Sequence, residues 1–105
     1  MLKINLEFRK GVLFVRLKGN LNDIDCLSDV DNTISNIGLK YIVLNLNEIR
    51  CITSNSVNYI LNYNDKILSS NGKLILCEED NLISTYLFKN KIPYVKNEIQ
   101  AFDLI

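Results

Sequence analysis

The sequence predicts an α/β fold built on a mixed sheet. Three patterns carry that expectation: strict apolar–polar alternation at the start, two nearly continuous apolar runs, and stripes of apolar residues at three- and four-residue spacing between them. An opening hairpin followed by alternating helices and strands, in the rough order ββαβαβα(β)α, folds into one layered domain over residues 1–105. Such an order implies a sheet of about four or five strands packed with about four helices.

Leu2, Ile4, Leu6 and Phe8 alternate with Lys3, Asn5, Glu7 and Arg9, the period of a strand with one buried face. "RKG" turns the chain, with Gly11 free to adopt positive φ. Residues 12–17 return as the second strand, which ends at Lys18 and Gly19. Beyond "GNLND", Ile24, Leu27, Val30, Ile34 and Ile37 set an apolar stripe along a helix, capped by Asn22 or Asp23 and stopped by Gly38. "YIVLNL", residues 41–46, reads as a central strand covered on both faces.

Val57, Ile60, Leu61, Ile67 and Leu68 form the next helical stripe, which "SSNGK" closes through Asn71 and Gly72. "KLILC", residues 73–77, is another buried strand. Leu82, Ile83, Tyr86 and Leu87 suit a short helix after the acidic "EED", and Pro93 ends that element. Residues 94–96 add a short edge strand. Residues 98–104 make a terminal helix with Ile99, Phe102 and Ile105 turned inward.

Composition narrows the function classes. Of 105 residues, 48% are hydrophobic, and 12 basic side chains balance 12 acidic ones to a net charge of zero. A neutral chain lacks the broad attraction that nucleic-acid backbones and anionic membranes select for, so neither is the expected partner. The opening "MLKINLEFRK" has no signal-peptide pattern, and no apolar run is long enough to span a bilayer. The expected location is the cytoplasm. Cys26, Cys51 and Cys77 are odd in number and widely spaced, which fits reduced, buried thiols better than a disulfide framework or a zinc site.

Catalytic chemistry has few candidates. The absence of histidine removes the commonest general base at neutral pH and the commonest metal ligand. Cys51 and Cys77 adjoin apolar runs and read as structural cysteines in preference to nucleophiles. Glu78, Glu79 and Asp80 read as acids favouring a helix N-terminus over a metal site, and neither phosphate-cradling glycine motif is present. Arg9, Lys10, Lys89 and Lys91 read as solvated surface; Tyr59, Tyr63 and Tyr86 as partly buried helix residues. No metal or cofactor is expected, and the chain is not expected to be an enzyme.

The segment "CITSNSVNYIL", residues 51–61, stands apart because Thr53, Ser54 and Ser56 open a helix at the end of the central strand. Sites of α/β sheets gather at such loops, and helix N-terminal amides attract anions, including a phosphate on a nearby serine. Serine and threonine are also ordinary caps. On pattern alone both readings stand.

With these elements placed, the sequence resembles a STAS domain, the module named for sulfate transporters and anti-sigma factor antagonists, and in particular the short bacterial anti-sigma factor antagonists. "VLFVRLKGNLN" is similar to the second strand and its loop, "KYIVLNLNEIRCITSNSVNYIL" to the central strand and switch motif, and "NGKLILC" to the next strand. The motif of that family is usually Asp-Ser-Ser-Gly-Leu-Gly. Here Thr53 replaces the Asp, Ser54 matches the first serine, Asn55 occupies the second, Ser56 and Asn58 replace the glycines, and Val57 keeps the apolar position. "GNLND" resembles the family's Gly-Glu-Leu-Asp, with Asn20 and Asn22 in place of both acids.

The resemblance implies a binding protein. An antagonist of this kind engages an anti-sigma factor that is also a serine kinase, which frees a sigma factor for transcription. Phosphorylation at the second serine abolishes binding, and a serine phosphatase restores it. The implied partner surface comprises Asn22, Asp23, Thr53, Ser54, Asn55, Ser56, Val57 and Asn58. Asn55 has no hydroxyl to phosphorylate, so the switch is either lost or transferred to Ser54 or Ser56. The alternative is a non-switchable STAS scaffold, a subunit of a larger signalling assembly.

Overall fold

The computed structural model describes residues 2–21, 40–80, 88, 89 and 91–105. Five strands form one sheet in the order β1-β2-β3-β4-β5: β1 (Lys3–Arg9), β2 (Val12–Leu21), β3 (Tyr41–Ile52), β4 (Lys73–Cys77) and β5 (Tyr94–Val95). β1 runs antiparallel to β2, and every later pairing is parallel, so the mixed sheet expected from the sequence is present. Two α-helices occur among the described residues, α1 (Ser54–Ser69) and α2 (Glu98–Ala101), with a 3-10 turn at Phe102–Leu104. The helices expected near residues 24–37 and 82–87 lie outside the described residues.

The hairpin turn places Lys10 at φ 53° and Gly11 at φ 81°, positive at both central positions as a two-residue turn of the favoured twist requires. β2 and β3 run past their expected ends, to Leu21 and Ile52. α1 then crosses from β3 to β4, the connection that parallel neighbours need. It closes with Asn71 at φ 62°, while Gly72 N and Asn71 N donate to Ile67 O (2.9 Å) and Leu68 O (3.1 Å). That is a Schellman ending with asparagine in the left-handed position. Gly72 is needed for space: a Cβ there would stand 2.5 Å from Lys40 O and 2.8 Å from Ile67 Cγ2.

Side chains divide between the two faces of the sheet. Leu13, Val15, Leu17, Ile42, Leu44, Leu46, Leu74 and Leu76 pack on one face with Val57, Ile60 and Ile67 of α1. On the other, Val12, Phe14, Val43, Ile75 and Cys77 meet Ala101 and Phe102. β4 is covered on both sides, which explains its unbroken apolar run.

The C-terminal segment is held on this second face by charge as well as by apolar contact. Arg16 Nε and Nη2 donate to the two Glu98 carboxylate oxygens at 2.8 and 2.7 Å, Asn45 Nδ2 donates at 2.9 Å, and Arg16 Nη1 reaches Glu7 at 3.0 Å. The Phe102 ring meets Phe14 edge-on at 5.7 Å. Arg9 lies over both rings, and Lys10 lies over Phe102, so these cations cover aromatic surface as well as facing solvent.

Several sequence expectations are corrected here. Leu6 and Phe8 are 44% and 59% exposed, because β1 is an outer strand and only its start is covered. Leu68 is exposed, whereas Asn64 is buried and completes the inner stripe with Val57, Ile60 and Ile67. The terminal helix is a single turn whose register is set by the Glu98 anchor. Ala101 and Phe102 therefore face the sheet, while Ile99 and Ile105 are exposed.

Candidate functional site

Because β2 and β3 are parallel, their C-terminal ends arrive at the same edge of the sheet. Their register closes with Asn20 opposite Cys51 and Leu21 opposite Ile52. Two shifts precede this, between Arg16 and Lys18 and between Gly19 and Asn20, and Gly19 sits at φ 113°. Positive φ at this position suits glycine and lets β2 bend with the longer path of β3. One more hydrogen bond, Thr53 N to Leu21 O at 3.4 Å, joins the start of α1 to the end of β2.

Thr53 is the N-cap of α1, with extended backbone angles of φ −93° and ψ 159°. Its Oγ1 accepts from Ser56 N at 3.2 Å, and its hydroxyl donates to Ser56 Oγ at 3.1 Å. Val57 N donates to Thr53 O at 3.0 Å, the first intrahelical bond. The hydroxyl cluster thus contains a true cap, but only two of its three members form it. Ser56 is fully buried and Val57 is 8% exposed, whereas Thr53, Ser54, Asn55 and Asn58 are exposed.

The result is a polar rim over an apolar floor. Ser54, Asn55 and Asn58 are spaced by three and four residues and share the outward side of α1. The first turn contains no acid, so the partial positive charge of its backbone amides faces the rim without a carboxylate to offset it. The floor between α1 and the sheet is closely packed: Val15, Leu44, Ile60 and Tyr63 help to line a gap of only about 20 Å³, roughly one water in size. The rim therefore offers an exposed surface, and the gap beneath it has no room for a ligand larger than a water.

Asn22 and Asp23 lie outside the described residues. Leu21, immediately before them, ends beside Thr53. Cys51 is exposed, contrary to the expectation of a buried thiol, while Cys77 is buried; β3 projects past the covered part of the sheet, and Cys51 sits on that projection. Burial first, and then the negative charge of Glu98, push the Cys77 thiol up to about 11.

Asn47 and Glu78 were not singled out by sequence reasoning for what they do. Asn47 Oδ1 accepts from Glu79 N at 2.6 Å, tying β3 to the segment after β4. Glu78, expected among the acids that favour a helix N-terminus, is 4% exposed and its N donates to Val95 O at 3.0 Å. Among the described residues, no group of three or more histidine, cysteine or acidic side chains is placed to hold a metal ion. No described helix is long and apolar enough to cross a membrane.

No model of a known protein family matches the sequence. Solved structures are similar over nearly the whole chain. The anti-sigma factor antagonist SpoIIAA in its unphosphorylated form superposes with a TM-score of 0.79 at 18% identity, covering 97% of this chain and 96% of that one. A candidate anti-sigma factor antagonist from Thermotoga maritima gives 0.78 at 19% identity, covering 97% and 93% of the two chains. An antagonist from Mycobacterium paratuberculosis gives 0.79 at 13% identity, covering 100% and 94%. Superposition at these TM-scores over nearly the whole of each chain shows that the fold of this chain, with its single five-stranded sheet, is the SpoIIAA-like STAS fold.

Proposed function

We propose that this chain is a cytoplasmic regulatory binding protein of the anti-sigma factor antagonist kind. It engages an anti-sigma factor with serine kinase activity through the start of α1 together with Asn22 and Asp23, which follow Leu21 in the sequence, and so controls transcription by a sigma factor. The observation that carries this reading is the bond from Thr53 N to Leu21 O, which supports one continuous surface from the end of β2 to the exposed Ser54, Asn55 and Asn58. The domain acts by binding, without catalysis or cofactor.

The phosphorylation switch is lost in this reading. Asn55 stands at the position the resemblance assigns to the phosphorylated serine and offers no hydroxyl. Ser56 is a poor substitute because it is fully buried and both its N and Oγ are engaged by Thr53. Ser54 is the exposed serine of the first turn and the one to watch.

Mixing the purified chain with the anti-sigma kinases of the same genome tests the reading. A stable complex is expected, with no phosphate found on the chain by mass spectrometry after incubation with ATP. Asn55→Ser is expected to gain phosphate at residue 55 and lose binding. Absence of binding to every such kinase would remove the sigma-regulation reading. Phosphate on Ser54 of the unsubstituted chain would remove the lost switch, and with it the role of a serine phosphatase would return.

The missing hydroxyl at Asn55 also favours a second reading, a non-switchable scaffold subunit in a larger assembly. A persistent high-mass complex in native extracts, in place of a small heteromer, would identify it.

A further inference from the structure

β1 is the outermost strand of the sheet. It pairs with β2 without interruption from Lys3 opposite Lys18 to Arg9 opposite Val12, and among the described residues no strand pairs with its other side. The seven-residue strand contains no proline. Its outer backbone groups therefore form an open template for another strand. On one face of β1, Leu6 and Phe8 are 44% and 59% exposed, apolar surface that the monomer leaves uncovered.

We propose that β1 pairs antiparallel with β1 of a second copy of this chain, about a two-fold axis at Asn5, joining two five-stranded sheets into one. Directly opposed residues in an antiparallel pair lie on the same face. A two-fold axis between adjacent residues would set apolar side chains against polar ones, so the axis must pass through a residue. Centred on Glu7, it would oppose two glutamates; centred on Leu6, it would oppose Lys3 to Arg9. Both place like charges directly across the pair, which destabilises it.

Centred on Asn5, the same strand is self-complementary. Lys3 faces Glu7 twice and Asn5 faces itself. On the other face, Ile4 meets Leu6 twice and Phe8 covers Leu2 twice. Lys3 makes no ion pair among the described residues, and Glu7 is already oriented by Arg16 at 3.0 Å. This charge pattern is what identifies the occupant as a second copy. β2 lies between the new interface and β3, so both copies of the polar rim on α1 stay open and the assembly is bivalent.

Light scattering of the purified chain is expected to give twice the monomer mass, and Leu6→Lys is expected to return it to the monomer with an unchanged circular dichroism spectrum. Asn5→Cys places two thiols across the axis at a Cα separation of about 4.5–5.5 Å, within disulfide reach. Mild oxidation should therefore yield more covalent dimer than the unsubstituted chain, whose native thiols set the background. Lys3→Cys, whose mate is residue 7, should not exceed that background. A monomer at every concentration, a dimer indifferent to Leu6→Lys, or crosslinking at Lys3→Cys instead of Asn5→Cys would overturn the proposal.

Discussion

Replacing Glu98 by glutamine tests what fixes the C-terminal segment on the sheet. The carboxylate accepts two bonds from Arg16, at 2.8 and 2.7 Å, and one from Asn45 at 2.9 Å, with 17% of its side chain exposed. Glutamine keeps the shape but offers one oxygen, and its amide N–H groups face the guanidinium donors. Hydrogen bonds to charged groups contribute about 1.5–3 kcal/mol each. Arg16 is 34% exposed and retains Glu7, so solvent screening and the surviving partner reduce the loss to about 2 kcal/mol for the substitution as a whole. In a domain of this size that lowers Tm by about 8–15 °C.

Thermal and urea unfolding of Glu98→Gln, Arg16→Gln and the double variant would measure the coupling between the two residues. The pH dependence supplies an independent check. Hydrogen bonds from Arg16, above all, hold the Glu98 carboxyl below the usual carboxylate range. A carboxyl whose folded pKa is lowered contributes stability that is fully present above its unfolded value, about 4.3, and is lost as pH falls through the folded value. The stability gap between the unsubstituted chain and Glu98→Gln should therefore be constant near neutrality and close in acid. A gap below about 0.5 kcal/mol at neutral pH, or one that persists in acid, would refute the assigned role of this network.

Thr53→Ala should cost about 1 kcal/mol by removing the acceptor for Ser56 N, whereas Thr53→Ser should lie close to the unsubstituted chain in urea unfolding. Gly72→Ala drives a Cβ to 2.5 Å from Lys40 O and should cost about 1–3 kcal/mol; Asn71→Gly, at a left-handed position, should be tolerated in the same assay. In the native protein an alkylating reagent should label exposed Cys51 and spare Cys77, whose thiol is pushed up to about 11, as peptide mass spectrometry would read. Labelling of Cys77 at the rate of Cys51 would contradict its burial.

Central strands and the long helix were legible because their burial is written as local periodicity. β4 is an unbroken apolar run and is covered on both faces. Val57, Ile60 and Ile67 recur at helical spacing and face the sheet. Edges were harder to read. Leu6 and Phe8 alternate like any half-buried strand, yet whether that face is covered depends on which strand lies outermost, and no local pattern encodes that. Ile99 and Ile105 looked inward by periodicity alone, but a one-turn helix follows its anchor, here Glu98 on Arg16, residues separated by 82 positions in sequence.

The candidate site divides in the same way. A hydroxyl-rich helix start after a central strand, and Asn55 within it, are features of the sequence. Which hydroxyls remain available was decided in three dimensions: Ser56 is buried and bonded to Thr53, while Ser54 stays outside. The sequence by itself determined the α/β class, the central strands and the position of α1, since hydrophobic periodicity and turn chemistry act between near neighbours. Only the tertiary structure decided which strand is left at the edge, which way the C-terminal turn faces and how the end of β2 meets α1, because each depends on contacts between residues far apart in the chain.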